Sequence, residues 1–459
     1  MRVRELLIVL DHGRGELTGQ LTRALREAVR DGRLAAGARL PATRVLAAEL
    51  GVSRGVVVEA YEQLAAEGYL VGRQGSGTRV AAGVGGARAD GPVAPEAAVP
   101  AYDLMPGTPD LGLFPRAAWA AAVRRALQTA PHRDLGYGDP AGLPRLRGEL
   151  ASYLGRVRAV AAGVERTMVV AGVGQSLSLL VGVLAGHGYR RIAVEDPGSP
   201  GAVELLRAHG VDPIGVPVDE EGLMVRELAA SGADAVLVTP AHQYPTGVVL
   251  SARRRTELAA WARAGGLVIE DDYDAEFRYD REPVGAVQGL AVERTVYLGS
   301  LSKTLAPGLR LGWAVLPGRL AAEFREAKRY ADLGTGAVDQ LAFAALLESG
   351  GYDRHLRAVR PRYRARRDAL VTALGVHLPQ VELRGVAAGL HLYAELPDGL
   401  DEAALVAAAL RRGVRVAAVA PSRITPGPGA IALGYAGVAE QRLAQAAALL
   451  GAAAAAVLG

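Results

Sequence analysis

The sequence predicts an α/β protein with two folded parts: a small helical domain that ends in a β-hairpin, and a large domain built on a mainly parallel sheet. Three features lead to this prediction. The first 80 residues contain three helical patterns followed by two short strand patterns. Residues 81 to 101 lose this periodicity and are rich in Gly, Pro and Ala, as linkers are. Beyond residue 102, short apolar runs alternate with helical stretches, which is typical of a parallel sheet covered by helices.

Composition narrows the possible classes of protein. The 459 residues exceed what one hydrophobic core usually supports, so more than one domain is expected. Hydrophobic residues make up 50% and charged residues 22%, which is typical of a folded protein rather than a disordered one. The net charge of +4 allows a local anion-binding surface without requiring one. The absence of cysteine excludes disulfides and thiolate metal sites, and it favours a reducing cytoplasm.

Neither an export signal nor a membrane partner is expected. The apolar run at residues 6–10 ends at Asp11 and His12, too early for a signal peptide. The tail from residue 446 to residue 459 is apolar but shorter than the ~18 residues that a membrane span requires.

The basic residues are almost all arginine. Of the 52 Lys and Arg residues only two are lysines, Lys303 and Lys328. Arginine replaces lysine at most surface charges, but it cannot form a Schiff base with an aldehyde. Each of the two lysines is therefore a candidate for amine chemistry.

Three helices and a hairpin are predicted in the small domain. Apolar residues recur every four positions from Leu17 to Val29, and Gly32 ends this first helix. Pro41 is predicted at the first position of a second helix, which Gly51 ends. Ser53 caps a third helix that reaches Glu67, with a buried face formed by Val57, Tyr61 and Leu64. The run LVGRQGSGTRV then forms two short strands joined by a glycine-containing turn.

The run from Leu40 to Val80 resembles the winged helix-turn-helix of the GntR family, and the similarity extends over residues 15 to 81. A helix that opens at Ser53 would enter the major groove with its first residues at base edges or phosphates. The resemblance implies a DNA-binding domain at residues 1–81 and double-stranded operator DNA as a partner. It assigns DNA contacts to Arg44, Ser53, Arg54, Gly55, Arg73, Gln74 and Gly75. The alternative is a winged helix used for protein contact.

One position in the predicted recognition helix departs from that family. The family often has a further arginine where this chain has Val58, so one DNA contact is expected to be missing.

In the large domain, residues 102–459, five apolar runs are predicted as strands. They lie at residues 168–172, 192–196, 235–240, 267–271 and 296–300. From about residue 325 the pattern is first helical and then becomes a smaller α+β subdomain.

A group of residues with matching chemistry surrounds one of the two lysines. A pyridoxal 5'-phosphate site needs an amine for a Schiff base, here Lys303, and a carboxylate beside the pyridine nitrogen, here Asp271 at a strand end. Tyr273 is suited to donate to the ring hydroxyl. The phosphate needs donors and a cation, and these roles fit Ser300, Ser302 and Arg310. The strand-to-helix turn GVGQS, with Gly174 and Gln175, offers backbone N–H groups to the same phosphate.

These motifs resemble fold-type I aminotransferases, and more specifically the MocR/GabR-type regulators, which fuse such a domain to a GntR wing. The similarity includes LFPRAAW, LGYGDPAGLPRLR, EDPGSPGA, TPAHQYPTGVVLS, EDDYDAEFRYD and LGSLSKTLAPGLRLGW. The resemblance implies that Lys303 holds the cofactor and that the chain forms a head-to-tail homodimer. It also implies that Tyr137 reaches the site from the other subunit.

Several positions depart from the aminotransferase pattern. Ser199 stands where an aromatic ring usually stacks on the pyridine, and Tyr244 stands where asparagine usually precedes the PTG turn. Ala432 occupies the position of a carboxylate-binding arginine, for which Arg423 is a possible substitute. Cofactor capture is thus better supported than transamination, which must also bind a substrate's transition state.

The favoured hypothesis is a DNA-binding regulator, not an enzyme, whose effector is pyridoxal 5'-phosphate and whose targets are vitamin B6 genes. One alternative is a GabR-like regulator that senses an amino acid or amine through an external aldimine. Others are a working aminotransferase that carries a wing, and a DNA-binding module without a cofactor.

Overall fold

The computed structural model describes residues 8–13, 15–73, 77–83, 100–280 and 284–459. These residues form two compact units, Met1–Ala98 and Val99–Gly459. Most of the predicted linker, residues 82–101, lies outside the described residues, as do Gln74 and Gly75.

The N-terminal unit contains three helices and a two-stranded antiparallel hairpin, as expected. The four-residue periodicity of the first helix places Leu21, Leu25 and Val29 in the core, where they pack with Val57 and Leu64 of the third helix. The elements are α1 (Leu17–Arg30), α2 (Thr43–Leu50), α3 (Arg54–Ala66), β1 (Leu70–Arg73) and β2 (Gly77–Val80).

The predicted start of α2 was wrong by two residues. Pro41 does not open the helix but precedes Ala42, the N-cap residue, which has an extended conformation. The Pro41 carbonyl accepts a hydrogen bond of 3.0 Å from the hydroxyl of Tyr61 on α3, and this contact anchors the segment before α2. The predicted end is confirmed, because Gly51 adopts a left-handed φ of 64° that favours glycine.

The large unit is built on an eight-stranded sheet. Its strand order is β4-β11-β10-β9-β8-β5-β6-β7, and the four central pairings from β10 to β6 are parallel. All five predicted runs contain a strand, whereas β6, β7 and β11 were missed. The strands are β4 (Thr167–Val170), β5 (Ile192–Asp196), β6 (Ile214–Asp219), β7 (Gly222–Leu223), β8 (Ala235–Val238), β9 (Leu267–Asp271), β10 (Thr295–Ser300) and β11 (Gly312–Val315).

Helices cover both faces of this sheet, and two separate apolar cores lie between the helices and the strands. One core contains Leu180 and Phe324, and the other contains Leu258 and Ala262. The helices of this part are α4 (Arg116–Thr129), α5 (Pro144–Arg158), α6 (Val173–Gly186), α7 (Pro200–Ala208), α8 (Val225–Ser231), α9 (Ala252–Arg263), α10 (Gly318–Asp332) and α11 (Ala337–Glu348).

The C-terminal part is the predicted α+β segment. An antiparallel sheet has the order β12-β13-β16-β15, and a short strand β3 (Tyr102–Asp103) pairs in parallel with β14. The elements are α12 (Gly351–His377), β12 (Glu382–Arg384), β13 (His391–Glu395), α13 (Glu402–Arg411), β14 (Val414–Arg415), β15 (Ala417–Ala418), β16 (Ala430–Gly434) and α14 (Glu440–Leu458).

By length and composition α14 is apolar enough to cross a membrane. One of its faces, however, is buried in the main core of the large unit, with Leu443, Ala447 and Leu450 fully covered. Packing in this core accounts for the apolar residues on the buried face of α14.

The topology brings several chain segments to one edge of the large sheet. Because β9 and β10 are parallel and Asp271 is in register with Leu298, the segments that follow these strands are neighbours. The carboxyl end of β5 and the turn at Gly172, which follows β4, lie at the same edge. In open α/β sheets, this is the edge at which ligands bind.

Candidate functional site

A cavity of about 470 Å³ opens at the carboxyl edge of the large sheet. Its volume is in the range of small-molecule sites. Of the predicted cofactor residues, all except Gln175 and Tyr137 line it: Gly174, Asp271, Tyr273, Ser300, Ser302, Lys303 and Arg310.

Lys303 lies in the turn after β10, and its Nζ donates a hydrogen bond to the carbonyl oxygen of Gly107. Burial lowers the pKa of Lys303, and the negative charges of Asp274 and Asp271 partly oppose this effect. A lowered pKa increases the fraction of neutral amine, which is the form that attacks an aldehyde.

Asp271, at the end of β9, has an unpaired oxygen. Its Oδ1 is buried and has no hydrogen-bond partner among the described residues. Burial, together with the nearby Asp272, raises the pKa of Asp271 to about 7, although Lys303 opposes this increase. A buried carboxylate oxygen without a donor is costly, so a ligand N–H placed there would stabilise it. The protonated nitrogen of a pyridine ring fits this requirement.

The turn before α6 and Arg310 together form an anion-binding corner. Gly172 caps α6 with a φ of 104°, and a Cβ added there would lie 3.3 Å from Nη2 of Arg310. The first N–H groups of α6 have no acceptor within the helix, and a helix N-terminus attracts anions. Among the described residues, no carboxylate pairs with Arg310. The corner therefore offers a phosphate both N–H donors and a free cation.

The side chain of Gln175 is used elsewhere. Its Oε1 accepts from the backbone N of Ala171 at 2.8 Å, and its Nε2 donates to Asp332 at 2.7 Å. Lys328 is fully buried and donates to the same Asp332 oxygen at 2.7 Å. The amide of Gln175 thus fixes the turn from behind, and the second lysine of the chain is tied into this structural cluster.

Tyr137 lies outside the cavity of its own chain. Its side chain is 94% exposed and does not line the cavity, so within one subunit it has no contact with the site.

Two departures from the aminotransferase pattern lie at the cavity wall. The side chain of Ser199 accepts a hydrogen bond from the backbone N of Ala202 and caps α7. The cavity wall thus has a hydroxyl at the position where aminotransferases usually have an aromatic ring. Tyr244 lines the cavity near Tyr273, with 6.4 Å between the ring centroids.

The position at which aminotransferases usually have a carboxylate-binding arginine, here Ala432, does not line the cavity. Ala432 is buried in β16, opposite Tyr393 in the sheet, and does not line the cavity. Arg423 lines a different cavity of about 900 Å³ and donates to the Tyr393 hydroxyl at 3.2 Å. Arg423 therefore does not take the place of the missing arginine at the lysine site.

Asp272, the residue after Asp271, is buried and is not a solvated carboxylate. Arg158 donates to both carboxylate oxygens of Asp272, at 2.7 and 3.0 Å, and both side chains are buried. The pair lies beneath the site and stabilises the loop that carries Asp271 and Tyr273.

A buried cluster that no sequence motif predicted lies next to Tyr273. His242 contacts Asp274 at 2.9 Å and the Tyr273 hydroxyl at 3.1 Å, and the His391 ring packs against His242. His242 lies in the loop before the PTG turn, and no sequence pattern links it to Asp274, which is 32 residues away.

Four of the predicted DNA-contacting residues, Arg44, Ser53, Arg54 and Gly55, are exposed on the surface of the N-terminal unit. Arg44 on α2 and Arg54 at the first turn of α3 are exposed, as is Gly55. Ser53 caps α3, because its Oγ accepts from Val56 N at 3.4 Å. Arg73 ends β1, and Val58 is partly buried.

Comparison with known proteins agrees with both units. Residues 17–80 match the family of bacterial regulatory proteins, gntR family, and residues 104–450 match aminotransferase class I and II. The HTH-type pyridoxine biosynthesis transcriptional regulator PdxR of Corynebacterium glutamicum is 38% identical over 87% of this chain and 87% of its own length. The probable rhizopine catabolism regulatory protein MocR of Rhizobium meliloti is 33% identical over 91% and 90%. The chain belongs to the MocR-type transcription regulators.

This MocR-type regulator is thus a DNA-binding protein with an aminotransferase-like domain, and the cofactor of that domain is pyridoxal 5'-phosphate. Its large unit is similar to an archaeal alanine:glyoxylate aminotransferase, with a TM-score of 0.72 and 26% identity, covering 77% of this chain and 91% of that one. It is also similar to the kynurenine aminotransferase of Pyrococcus horikoshii, with a TM-score of 0.72 and 25% identity, covering 79% and 92%. The predicted fold class is confirmed.

Proposed function

We propose that this regulator senses pyridoxal 5'-phosphate itself and controls genes of vitamin B6 metabolism. The observation that carries the proposal is a contrast within the large unit. The groups suited to the cofactor line one cavity, whereas Ala432 and Arg423, the positions considered for binding an amino-acid carboxylate, do not.

The predicted cofactor residues that line the cavity have different roles in holding the cofactor. When bound, pyridoxal 5'-phosphate supplies an aldehyde that condenses with an amine and a ring that withdraws electrons. Lys303 provides the amine, Asp271 accepts from the ring nitrogen, and Tyr273 donates to the ring oxygen. The phosphate is held by the first turn of α6 at Gly174, with the side chains Ser300, Ser302 and Arg310.

The same cavity is poorly equipped for transamination. Ser199 offers no ring to stack on the pyridine, and it is already engaged as a helix cap. Binding of an amino-acid substrate needs a cation for its carboxylate, and Arg423 lies in the other cavity. We therefore propose a regulator whose aminotransferase-like domain has lost its enzymatic role.

The relatives support this choice of effector without deciding it. The name of the Corynebacterium glutamicum relative refers to pyridoxine biosynthesis. Another relative, 30% identical, is the transcriptional regulator TauR of Rhodobacter capsulatus, and its name does not mention pyridoxine. An amine-sensing regulator is therefore the alternative that the experiment must separate.

On the DNA side, we propose that α3 enters the major groove and that Arg44 and Arg54 contact the operator. The residues that would lie near the DNA backbone are Ser53, Gly55, Arg73, Gln74 and Gly75. A cytoplasmic head-to-tail homodimer would bind two half-sites, and the exposed Tyr137 would reach the partner's cavity.

The test is a titration of operator DNA with and without pyridoxal 5'-phosphate. Cofactor and DNA must change each other's affinity by the same factor if the cofactor is the effector. Lys303→Ala should remove the effect, and inorganic phosphate should not reproduce it. An affinity that changes only when one amino compound is added with the cofactor would favour the amine sensor. Turnover of an amino acid with a keto acid would favour an enzyme.

A further inference from the structure

We propose that His242 is a positioning residue for the cofactor: held by Asp274, it directs the hydroxyl hydrogen of Tyr273 into the cavity. This inference rests on the proposed cofactor site at Lys303 and assigns a function to the buried cluster beside it.

The geometry places one nitrogen between two oxygens. Nδ1 of His242 lies 2.9 Å from Oδ2 of Asp274 and 3.1 Å from the hydroxyl oxygen of Tyr273. The side chains of His242 and Asp274 are both only 2% exposed, so water does not replace either contact. Tyr273 and Asp274 line the cavity, whereas His242 does not.

These contacts fix where the hydrogen atoms lie. A carboxylate only accepts hydrogen bonds, so the short contact with Asp274 requires a hydrogen on Nδ1 of His242. A protonated Nδ1 cannot accept, and the Tyr273 hydroxyl therefore cannot donate to it. The Tyr273 hydrogen must point elsewhere, and the open direction is the cavity that Lys303 lines. Burial raises the pKa of Tyr273 well above its usual value, so the hydroxyl keeps this hydrogen at neutral pH.

The segment just before β13 restricts the His242 ring from the other side. Gly389, with a φ of 68°, lies so close that an added Cβ would stand 2.0 Å from Cε1 of His242 and 2.6 Å from Oδ2 of Asp274. The hydroxyls of Tyr279 and Tyr435 both donate to the Gly389 carbonyl, which fixes this backbone. The ring thus has little freedom to turn away from Tyr273.

His391 completes the packing without adding charge. Its Nε2 donates to the carbonyl of Pro245 at 3.1 Å, and its ring centroid is 5.1 Å from that of His242. Burial, with smaller contributions from His242 and Lys303, lowers the pKa of His391 to about 3, so the ring is neutral. Asp274 is therefore the charged group that sets the orientation of His242.

The chemical consequence concerns negative charge on the cofactor's ring oxygen. A hydroxyl that donates to this oxygen stabilises the charge and lowers the pH at which the bound cofactor loses its proton. If the protonated Nδ1 of His242 no longer lies beside the tyrosine oxygen, the hydroxyl hydrogen can turn away from the cavity and this pH rises. Besides His242, the titratable groups that face Tyr273 are Asp271, Asp274, Glu195 and Tyr244, and the variants below leave these four unchanged.

The experiment titrates the absorbance of the full-length protein with bound pyridoxal 5'-phosphate. His242→Asn keeps an amide N–H where Nδ1 was, whereas His242→Gln places its amide farther out. We expect Tyr273→Phe and His242→Gln each to raise the pH midpoint by about one unit. His242→Asn should stay near wild type, and His242→Gln combined with Tyr273→Phe should shift no more than Tyr273→Phe alone.

Two results would overturn the inference. One is a wild-type midpoint in His242→Gln, and the other is an additive shift in the double variant, since both mean that His242 acts independently of Tyr273. Should His242→Gln fail to fold, His242→Ala replaces it: Nδ1 is removed while Asp274 keeps its charge, the Tyr273 hydroxyl can turn away from the cavity, and the midpoint must rise. A wild-type protein without any cofactor absorbance would instead contradict the proposed function itself.

Discussion

Gly172 and Arg310 lie close together at the anion-binding corner: a Cβ added to Gly172 would be 3.3 Å from Nη2 of Arg310. The φ of 104° and ψ of 173° at Gly172 belong to a region that only glycine adopts readily. Glycine is therefore required at this position for two reasons: the backbone conformation of the turn before α6, and the close approach of the Arg310 guanidinium.

Gly172→Ala should accordingly weaken cofactor binding. Backbone strain of about 1–3 kcal/mol and displacement of Arg310 should raise the Kd for pyridoxal 5'-phosphate by at least ~10-fold. The control is Gly182→Ala, an exposed position in the same helix with no atom near the added Cβ, which should be neutral or stabilising. Equal Kd values for the two variants would contradict this role of Gly172.

Lys303 should be the residue that carries the cofactor. Borohydride reduction of the loaded protein, followed by peptide mass spectrometry, should locate the cofactor on Lys303, and Lys303→Ala should lose the absorbance band. Lys328 is the matched control, since it is the only other lysine and is held by Asp332 in a buried ion pair. A reduced adduct on Lys328 would show the assignment to be wrong.

Ionisation of Asp271 should destabilise the cofactor-free protein. Its pKa is about 7 when folded, against 3.8 for a free side chain, so the folded state binds more protons between these values. Stability is therefore lost as pH rises from about 4 to about 7, by up to about 1.4 kcal/mol per pH unit, and stays constant above. Thermal unfolding of the wild type and Asp271→Asn across this range measures the difference. A difference that does not change with pH would contradict the buried, unpaired state of Asp271.

The buried pair of Arg158 and Asp272 should be essential for stability. Their side chains are 2% and 3% exposed, so Arg158→Met leaves a buried charge without a partner. The expected loss is about 3–5 kcal/mol in the free energy of unfolding. Arg253→Met removes two ion pairs, with Glu221 and Glu257, at a 56% exposed side chain; it should cost about 0–1 kcal/mol per pair and provides the comparison. Similar losses in urea unfolding would mean that burial of the pair does not matter.

Arg54→Ala should weaken operator binding by about 1–3 kcal/mol if the guanidinium reads a base. The wild-type affinity should fall steeply with salt, because phosphate contacts release counterions. Arg226→Ala, an 87% exposed arginine of the large unit, should leave the affinity unchanged. An Arg44→Ala/Arg54→Ala double variant with wild-type affinity would contradict the assignment of this surface to DNA.

Several parts of the protein could be predicted because the information is local in the sequence. The periodicity from Leu17 to Val29 specifies a helix face, and the apolar runs that became β9 and β10 specify buried strands. Lys303 could be selected as the candidate Schiff-base lysine because lysine is rare in this chain and its neighbours have complementary chemistry. The motifs around it also pointed to the family.

Other features depend on residues that only folding brings together. The backbone N–H of Gln175 is expected at the phosphate, but the bond of its side-chain amide to Asp332 could not be predicted, because no sequence pattern joins these two positions. The strand β11 was missed because its short run gains stability from two antiparallel neighbours, β4 and β10.

The sequence by itself determined the two units, the lysine and the family, because helix periodicity, strand hydrophobicity and amine chemistry are properties of short segments. Tertiary structure decided which polar groups face the cavity. It separated Arg423 from Lys303 and placed His242 between Asp274 and Tyr273. The reason is physical: the hydrogen-bond partner of a buried side chain is set by the packing of distant segments, and burial then requires that this partner be satisfied.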